Sequence, residues 1–178
     1  NKHNTFYIKV EPLEDKLYQA IRNGELPEGR LKKKNPVITE KLTKMGWSSD
    51  EIRDVRDIYK GNMFIDEIRG DVHIGEVIEM ILDAFEMVID AGPLAREPCM
   101  KMKVSLTDVK LHEDAIHRGP AQVYPAVREA ITEAMRSADP SLFEPVQVHL
   151  IESPMKFLGD LNKLISGKRG QLLNVKQD

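Results

Sequence analysis

Apolar residues in the first third of the chain change period several times, and each change marks an element. Phe6, Ile8 and Val10 alternate with Thr5, Tyr7 and Lys9, the period-2 pattern of a half-buried strand. Leu13, Leu17, Ala20 and Ile21 then recur at helical spacing until Asn23-Gly24 supplies a stop. Residues 25–36 have no usable period. They hold two prolines, a glycine and the cations Arg30, Lys32, Lys33 and Lys34, and read as a solvated loop rather than an RNA-backbone contact. A helix is expected over residues 37–45. A second should start at the capping-box pair Ser48 and Glu51, run through Ile52, Val55, Ile58 and Tyr59, and be stapled by Trp47.

Residues 62–66 form a short apolar strand candidate, followed by a turn at Arg69-Gly70-Asp71. The clearest helix lies over residues 75–90, where Val77, Ile78, Ile81, Leu82, Phe85, Val88 and Ile89 share one face opposite Glu76, Glu79, Asp83 and Glu86. Met100, Met102, Val104 and Leu106 alternate with Lys101, Lys103, Ser105 and Thr107 as a strand. Beyond residues 110–122, Val123, Val127, Ala130, Ile131 and Ala134 predict another helix, with Pro120 suited to its first turn. Ser137 to Pro140 is a break, which divides the chain into domains at 1–140 and 141–178. The second should hold a β-α-β unit: a strand with Val146, Val148 and Leu150, a helix with Phe157, Leu158, Leu161, Leu164 and Ile165, and a strand near Gln171. Alone, such a unit leaves sheet edges uncovered, so residues 143–178 are expected to pack on the first domain or pair with another copy. The mixture as a whole is α+β.

Composition narrows the function classes. In 178 residues, 26 basic and 29 acidic side chains leave a net charge of -3, which argues against bulk attraction to nucleic acid or membrane. The single cysteine, Cys99, allows no internal disulfide and no cysteine-based zinc site, in keeping with a cytoplasmic setting, and it reads as a small buried residue. No apolar run reaches the roughly 18 residues that span a bilayer. The first residue is Asn1 rather than methionine, so the chain reads as a piece of something longer.

The chemistry concentrates in the loop. Lys110 to Gln122 contains His112, Glu113, Asp114, His117, Arg118 and Gly119 between a strand and a helix. At roughly 100° per residue, histidines five apart on a helix lie about 140° apart, so the pair should not share a metal, and no metal site is expected. Acid/base chemistry by Glu113 or Asp114 with a histidine has no nucleophile or orienting partner in the sequence. The alternative of a small hydrolase, with or without a metal, using His112, Glu113 and His117 stays open as the competing reading. Ser166-Gly167-Lys168-Arg169-Gly170 lacks the upstream glycine of a phosphate loop and reads as a helix C-terminal turn. His73 and His149 read as structural or surface histidines. His112, His117, Arg118 and Gln122 precede or open a helix, where N–H groups and the dipole favour phosphate, so an RNA-facing tip is the functional candidate, set against a structural loop with an incidental histidine pair.

The loop Leu111-His-Glu-Asp-Ala-Ile-His117-Arg-Gly-Pro-Ala-Gln122 resembles the diphthamide loop of the elongation factor 2 family of translation factors, in its archaeal form. Asn1-Lys-His-Asn4 with Val10-Glu-Pro-Leu13, and Gly92-Pro-Leu-Ala-Arg-Glu-Pro98, resemble further segments of that family's domain IV. Glu144-Pro145-Val146 with Gly167-Lys-Arg-Gly170 resembles the start of its domain V. The resemblance implies an S5-like βα domain of the domain IV type, followed by part of a ferredoxin-like β-α-β unit. It also implies a ribosome-contacting role in translocation, with tRNA and mRNA at the decoding site as partners.

By the same resemblance His117 is the residue converted to diphthamide, a substrate of diphthamide-synthesis enzymes and a target of ADP-ribosylating toxins that use NAD. Lys2, His3, Asn4, His112, Asp114, Arg118, Gly119 and Gln122 are implied as the RNA-contacting tip, with Lys2, His3 and Asn4 beside His117. No catalytic residue and no cofactor is expected in this chain, since GTP and magnesium belong to a G domain it lacks.

Overall fold

The computed structural model describes residues 3–32, 35–69 and 74–176. It divides into two compact units, Asn1–Leu142 and Phe143–Asp178.

The first unit is built on a five-stranded mixed sheet. Its strands are β1 (Thr5–Pro12), β2 (Gly29–Arg30), β3 (Val55–Tyr59), β4 (Asn62–Asp66) and β5 (Met102–Lys110), in the spatial order β1-β5-β4-β3-β2. The β4–β5 pair is parallel and the other pairs are antiparallel. The connection between the parallel strands passes through α4 (Ile78–Asp90), as parallel neighbours require. Helices α1 (Asp15–Arg22), α2 (Pro36–Lys44) and α3 (Ser49–Asp54) precede it, and α5 (Pro120–Ser137) follows β5.

Two hydrophobic cores result. One joins α4 and α5 to Phe6, Phe64, Val104, Leu106 and Val109. The other joins α1 and α2 to Val55, Ile58, Met63 and Ile65. Neighbouring residues of β4 fall in different cores because successive side chains point to opposite faces. Both faces of β4 are covered, which is why the strand is apolar without alternation.

The capping box at Ser48 and Glu51 forms in both directions, with Ser48 N–H donating to the Glu51 carboxylate at 2.8 Å. The helix it opens is shorter than its spacing predicts. After Asp54 the chain turns into β3, so Val55, Ile58 and Tyr59 lie on a strand. Lys60 and Gly61, with φ of 46° and 76°, make a two-residue hairpin turn in which both central residues have positive φ. A Cβ on Gly61 would meet the Tyr18 ring at 2.8 Å, so this position excludes side chains on packing grounds as well. Pairing with β4 overrides a helical period only two turns long.

The basic stretch also differs from its expected form. Arg30 ends β2 and reaches α4, where Nε donates to Glu86 at 2.8 Å and Nη1 to Glu79 at 2.8 Å, while Nη2 bonds Asp83. Asp83 accepts in turn from the Tyr124 hydroxyl at 2.8 Å, tying α5 into the same group. Lys33 and Lys34 lie outside the described residues, as does His73.

Asp57 on β3 is 1% exposed, and as an unprotonated carboxylate it finds no hydrogen-bond donor among the described residues. Burial, reinforced by the Glu86 carboxylate, pushes its pKa up to about 7. The folded state therefore holds a proton that the unfolded chain releases near pH 4. The contribution of Asp57 to stability is expected to fall as pH rises from about 4 to 7, where this group binds more protons in the native state than in the unfolded one. Urea titrations at several pH values should show this slope, and Asp57→Asn should flatten it and gain roughly 1–2 kcal/mol at pH 8.

The second unit contains a 3-10 turn, Met155–Phe157, and α6 (Leu158–Gly167). The strands expected around Val146 and Gln171 do not form among its described residues. Val146 is 93% exposed and has no ladder neighbour, and a strand exists only when another chain segment accepts and donates its hydrogen bonds. Among the described residues no helix is long and apolar enough to cross a membrane.

Candidate functional site: the tip loop

The loop sits where β5 ends and α5 begins, and its shape is set by three local devices. Asp114 accepts from Ile116 N–H at 3.0 Å and caps a 3-10 turn, Ala115–His117. Gly119 is the N-cap of α5, with Pro120 in the helix's first turn. Arg118 turns inward: its Nη1 donates to the carbonyls of His112 and Glu113, both at 3.0 Å, and its Nη2 pairs with Glu76 at 2.8 Å. That guanidinium, expected among the RNA-facing donors, braces the loop from within.

The first residues of the chain complete the site. Asn4 is 1% exposed and bridges the loop, its Oδ1 accepting from His112 N–H at 3.0 Å and its Nδ2 donating to the His117 carbonyl at 2.8 Å. It lies beneath the tip rather than facing solvent. Lys2 lies outside the described residues.

His3 is held against both loop histidines. Its ring stacks on His117 at 4.2 Å between centroids, with an interplanar angle of 3°, and meets His112 edge-on at 5.3 Å. His112 and His117 are themselves 4.5 Å apart. The helical-wheel argument that separated the two histidines fails here, because His112 precedes the 3-10 turn and the backbone between them is not α-helical. Burial, then the neighbouring His117 and His112, lowers the pKa of His3. Ile116 is 72% exposed, and Glu113 and Asp114 face solvent. Gln122 is half-buried in the first turn of α5, its Oε1 near Gly119.

The geometry offers little to a hydrolase. The rings of His112 and His117 pack on His3, and among the described residues Glu113 engages the site through its carbonyl. Two cavities of the first unit lie elsewhere among the described residues, one beside Ile38 and Arg56 and another between Met87 and Thr132.

A sequence model of the family described as elongation factor G, domain IV, matches residues 29–139. The chain belongs to that domain IV family. It is 48% identical to elongation factor 2 of Thermococcus sibiricus, 50% identical to that of Nanoarchaeum equitans and 48% identical to that of Pyrococcus furiosus, in each case over the whole of this chain. The chain spans 24% of the length of these relatives. Within domain IV the matched segment contains β2 to β5, α2 to α5 and the whole tip loop, whereas His3 and Asn4 precede it. Nothing in the period or composition of residues 1–4 marks Asn4 as the clamp. Glu76, the partner of Arg118, carried no sequence signal beyond its place on a polar helix face.

Proposed function

We propose that this chain is the ribosome-contacting domain of an elongation factor 2, a translocation GTPase of the cytoplasm, and that its tip contacts tRNA and mRNA in the decoding region. The observation that supports this best is the loop of residues 110–122, held rigid by Asn4 and Arg118 and carried by a domain IV. A tip that serves every codon should meet phosphate and sugar rather than base edges, and positioned donors on a rigid loop suit that task. GTP and magnesium binding are assigned to other parts of such a factor, and nucleotide hydrolysis is not assigned to this chain.

His117 is proposed as the diphthamide position, and so as the substrate of diphthamide-synthesis enzymes and the acceptor for ADP-ribosylating toxins. It is half-buried beside the exposed Ile116, so an enzyme can approach the edge of its ring. Mass spectrometry of the peptide spanning residues 111–122 from the native source should find added mass on His117, and toxin with NAD should add ADP-ribose there. An unmodified His117 in native material would sink this assignment. For the RNA contact, a photocrosslinker at position 116 in a ribosome-bound factor should capture tRNA or mRNA, and exclusive capture of protein would overturn it.

The apolar side chains Val146, Val148, Leu150 and Leu173 of the second unit are strongly exposed. We infer that a second copy of this chain covers them. Light scattering on this chain tests this, since dimers support self-pairing and monomers exclude it.

A further inference from the structure

The three histidines at the tip can do more than stack. His3, His112 and His117 each offer a ring nitrogen, and these atoms all lie within 4.8 Å of one another. They are the one such group of potential ligands among the described residues. We propose that they form a binding site for a borderline divalent transition-metal ion of the zinc type, with the remaining coordination position open to solvent.

The donor set selects the class of ion. Three imidazoles without a carboxylate suit zinc, cobalt, nickel or copper, and they do not suit magnesium or calcium, which require oxygen. A tetrahedral zinc with Zn–N bonds of 2.0–2.1 Å places its nitrogens about 3.3 Å apart, so the rings must close by about 1.5 Å at most. All three side chains are half-buried, which leaves the rings room to rotate about χ2. Their backbones are already fixed, because Asn4 binds His112 N–H and the His117 carbonyl and is itself the neighbour of His3.

One hydrogen bond reports on the geometry. His112 Nδ1 accepts from Asp114 N–H at 3.1 Å. Coordination through Nε2 puts the ring proton on Nδ1 and releases that bond, while coordination through Nδ1 replaces it. Either way the Asp114 amide changes its partner when metal binds.

The test uses this chain with unmodified His117 and a blocked α-amino group, so that a terminal nitrogen cannot serve as a ligand. Titration with zinc should show one ion per chain by calorimetry. Cobalt should give the intense visible bands of a tetrahedral site. His3→Ala, His112→Ala and His117→Ala should each weaken zinc binding at least about tenfold, a loss that even an outer partner of a metal ligand can cause. His149→Ala, an exposed histidine of the second unit, should leave it unchanged. In ¹⁵N spectra the Asp114 amide should shift with zinc in the parent chain and stay put in His112→Ala. Circular dichroism without metal verifies that each variant folds. Zinc affinity indifferent to His3→Ala, or lost equally in His149→Ala, overturns the proposal, as does an Asp114 amide that ignores the metal. Because no ribosome or RNA takes part, failure here leaves the RNA-contact reading standing, and failure of that reading leaves the metal site standing.

Discussion

Replacing Asn4 by alanine is expected to destabilise the first unit by about 2–4 kcal/mol and to release the tip loop. The side chain satisfies two backbone groups at once, the His112 N–H at 3.0 Å and the His117 carbonyl at 2.8 Å, and it is 1% exposed. Truncation leaves both groups facing a small polar void, and each buried group without a partner costs roughly 1–3 kcal/mol. Asn4→Asp separates the two contributions. The carboxylate can still accept from His112 N–H but cannot donate to the His117 carbonyl, so it should recover part of the loss. Urea denaturation measures the stability change, and amide exchange at residues 112–118 measures the loosening. If Asn4→Ala leaves both unchanged, the clamp does not hold the tip.

The second large effect is expected at Arg30. Its side chain is 24% exposed and binds Glu79, Asp83 and Glu86 together. Burial works against the guanidinium charge, but hydrogen bonds to Asp83, Glu86 and Glu79 outweigh it and hold its pKa above the ordinary arginine value. Arg30→Leu should cost about 2–3 kcal/mol at neutral pH, below the range for a fully buried pair because water reaches part of the group. The loss comes mainly from three carboxylates left facing one another, with Asp57 beneath them.

The pH dependence carries the sign. Arg30 holds the carboxyls of Asp83 and Glu79 below their ordinary values, so the stability they contribute is present above the unfolded carboxyl pKa and is lost as pH falls through the folded one. Arg30→Leu removes that contribution and adds repulsion that acid relieves. The gap between parent and variant should therefore be widest near neutrality and narrow below about pH 4. A gap that stays constant with pH would show that Arg30 acts through packing alone.

Local information is enough for most of the first unit's elements. The strand at Phe64 was legible as an unbroken apolar run, since both of its faces are buried. The strands at Phe6 and Val104, the helix of Ile81 and Phe85, and the helix opened by Pro120 were legible because each buries one face and the spacing of that face is written in consecutive residues. The position of the tip loop between β5 and α5 was legible for the same reason. Val55 to Tyr59 was not, since four or five residues with mixed spacing fit either a strand or the end of a helix, and the hairpin with β4 decided between them. The strand expected at Val146 is the converse case, a correct period with no partner to complete it among the described residues.

The candidate site divides along the same line. By itself the sequence determined its inventory: two histidines, two carboxylates and an arginine in a turn before a helix, with a motif specific enough to point to a domain IV. The family resemblance implies His3 and Asn4 beside His117, and the tertiary structure supplies the contacts that join them, across sequence separations of 108 and 113 residues in the two Asn4 hydrogen bonds. The cause is the antiparallel register of β1 on β5, which sets Thr5 opposite Lys110 and so brings the start of one strand beside the end of the other. A period records which face of a strand is buried. Which strand lies beside it is decided by packing over the whole sheet, and that choice is what gathers three histidines and their clamp at one tip.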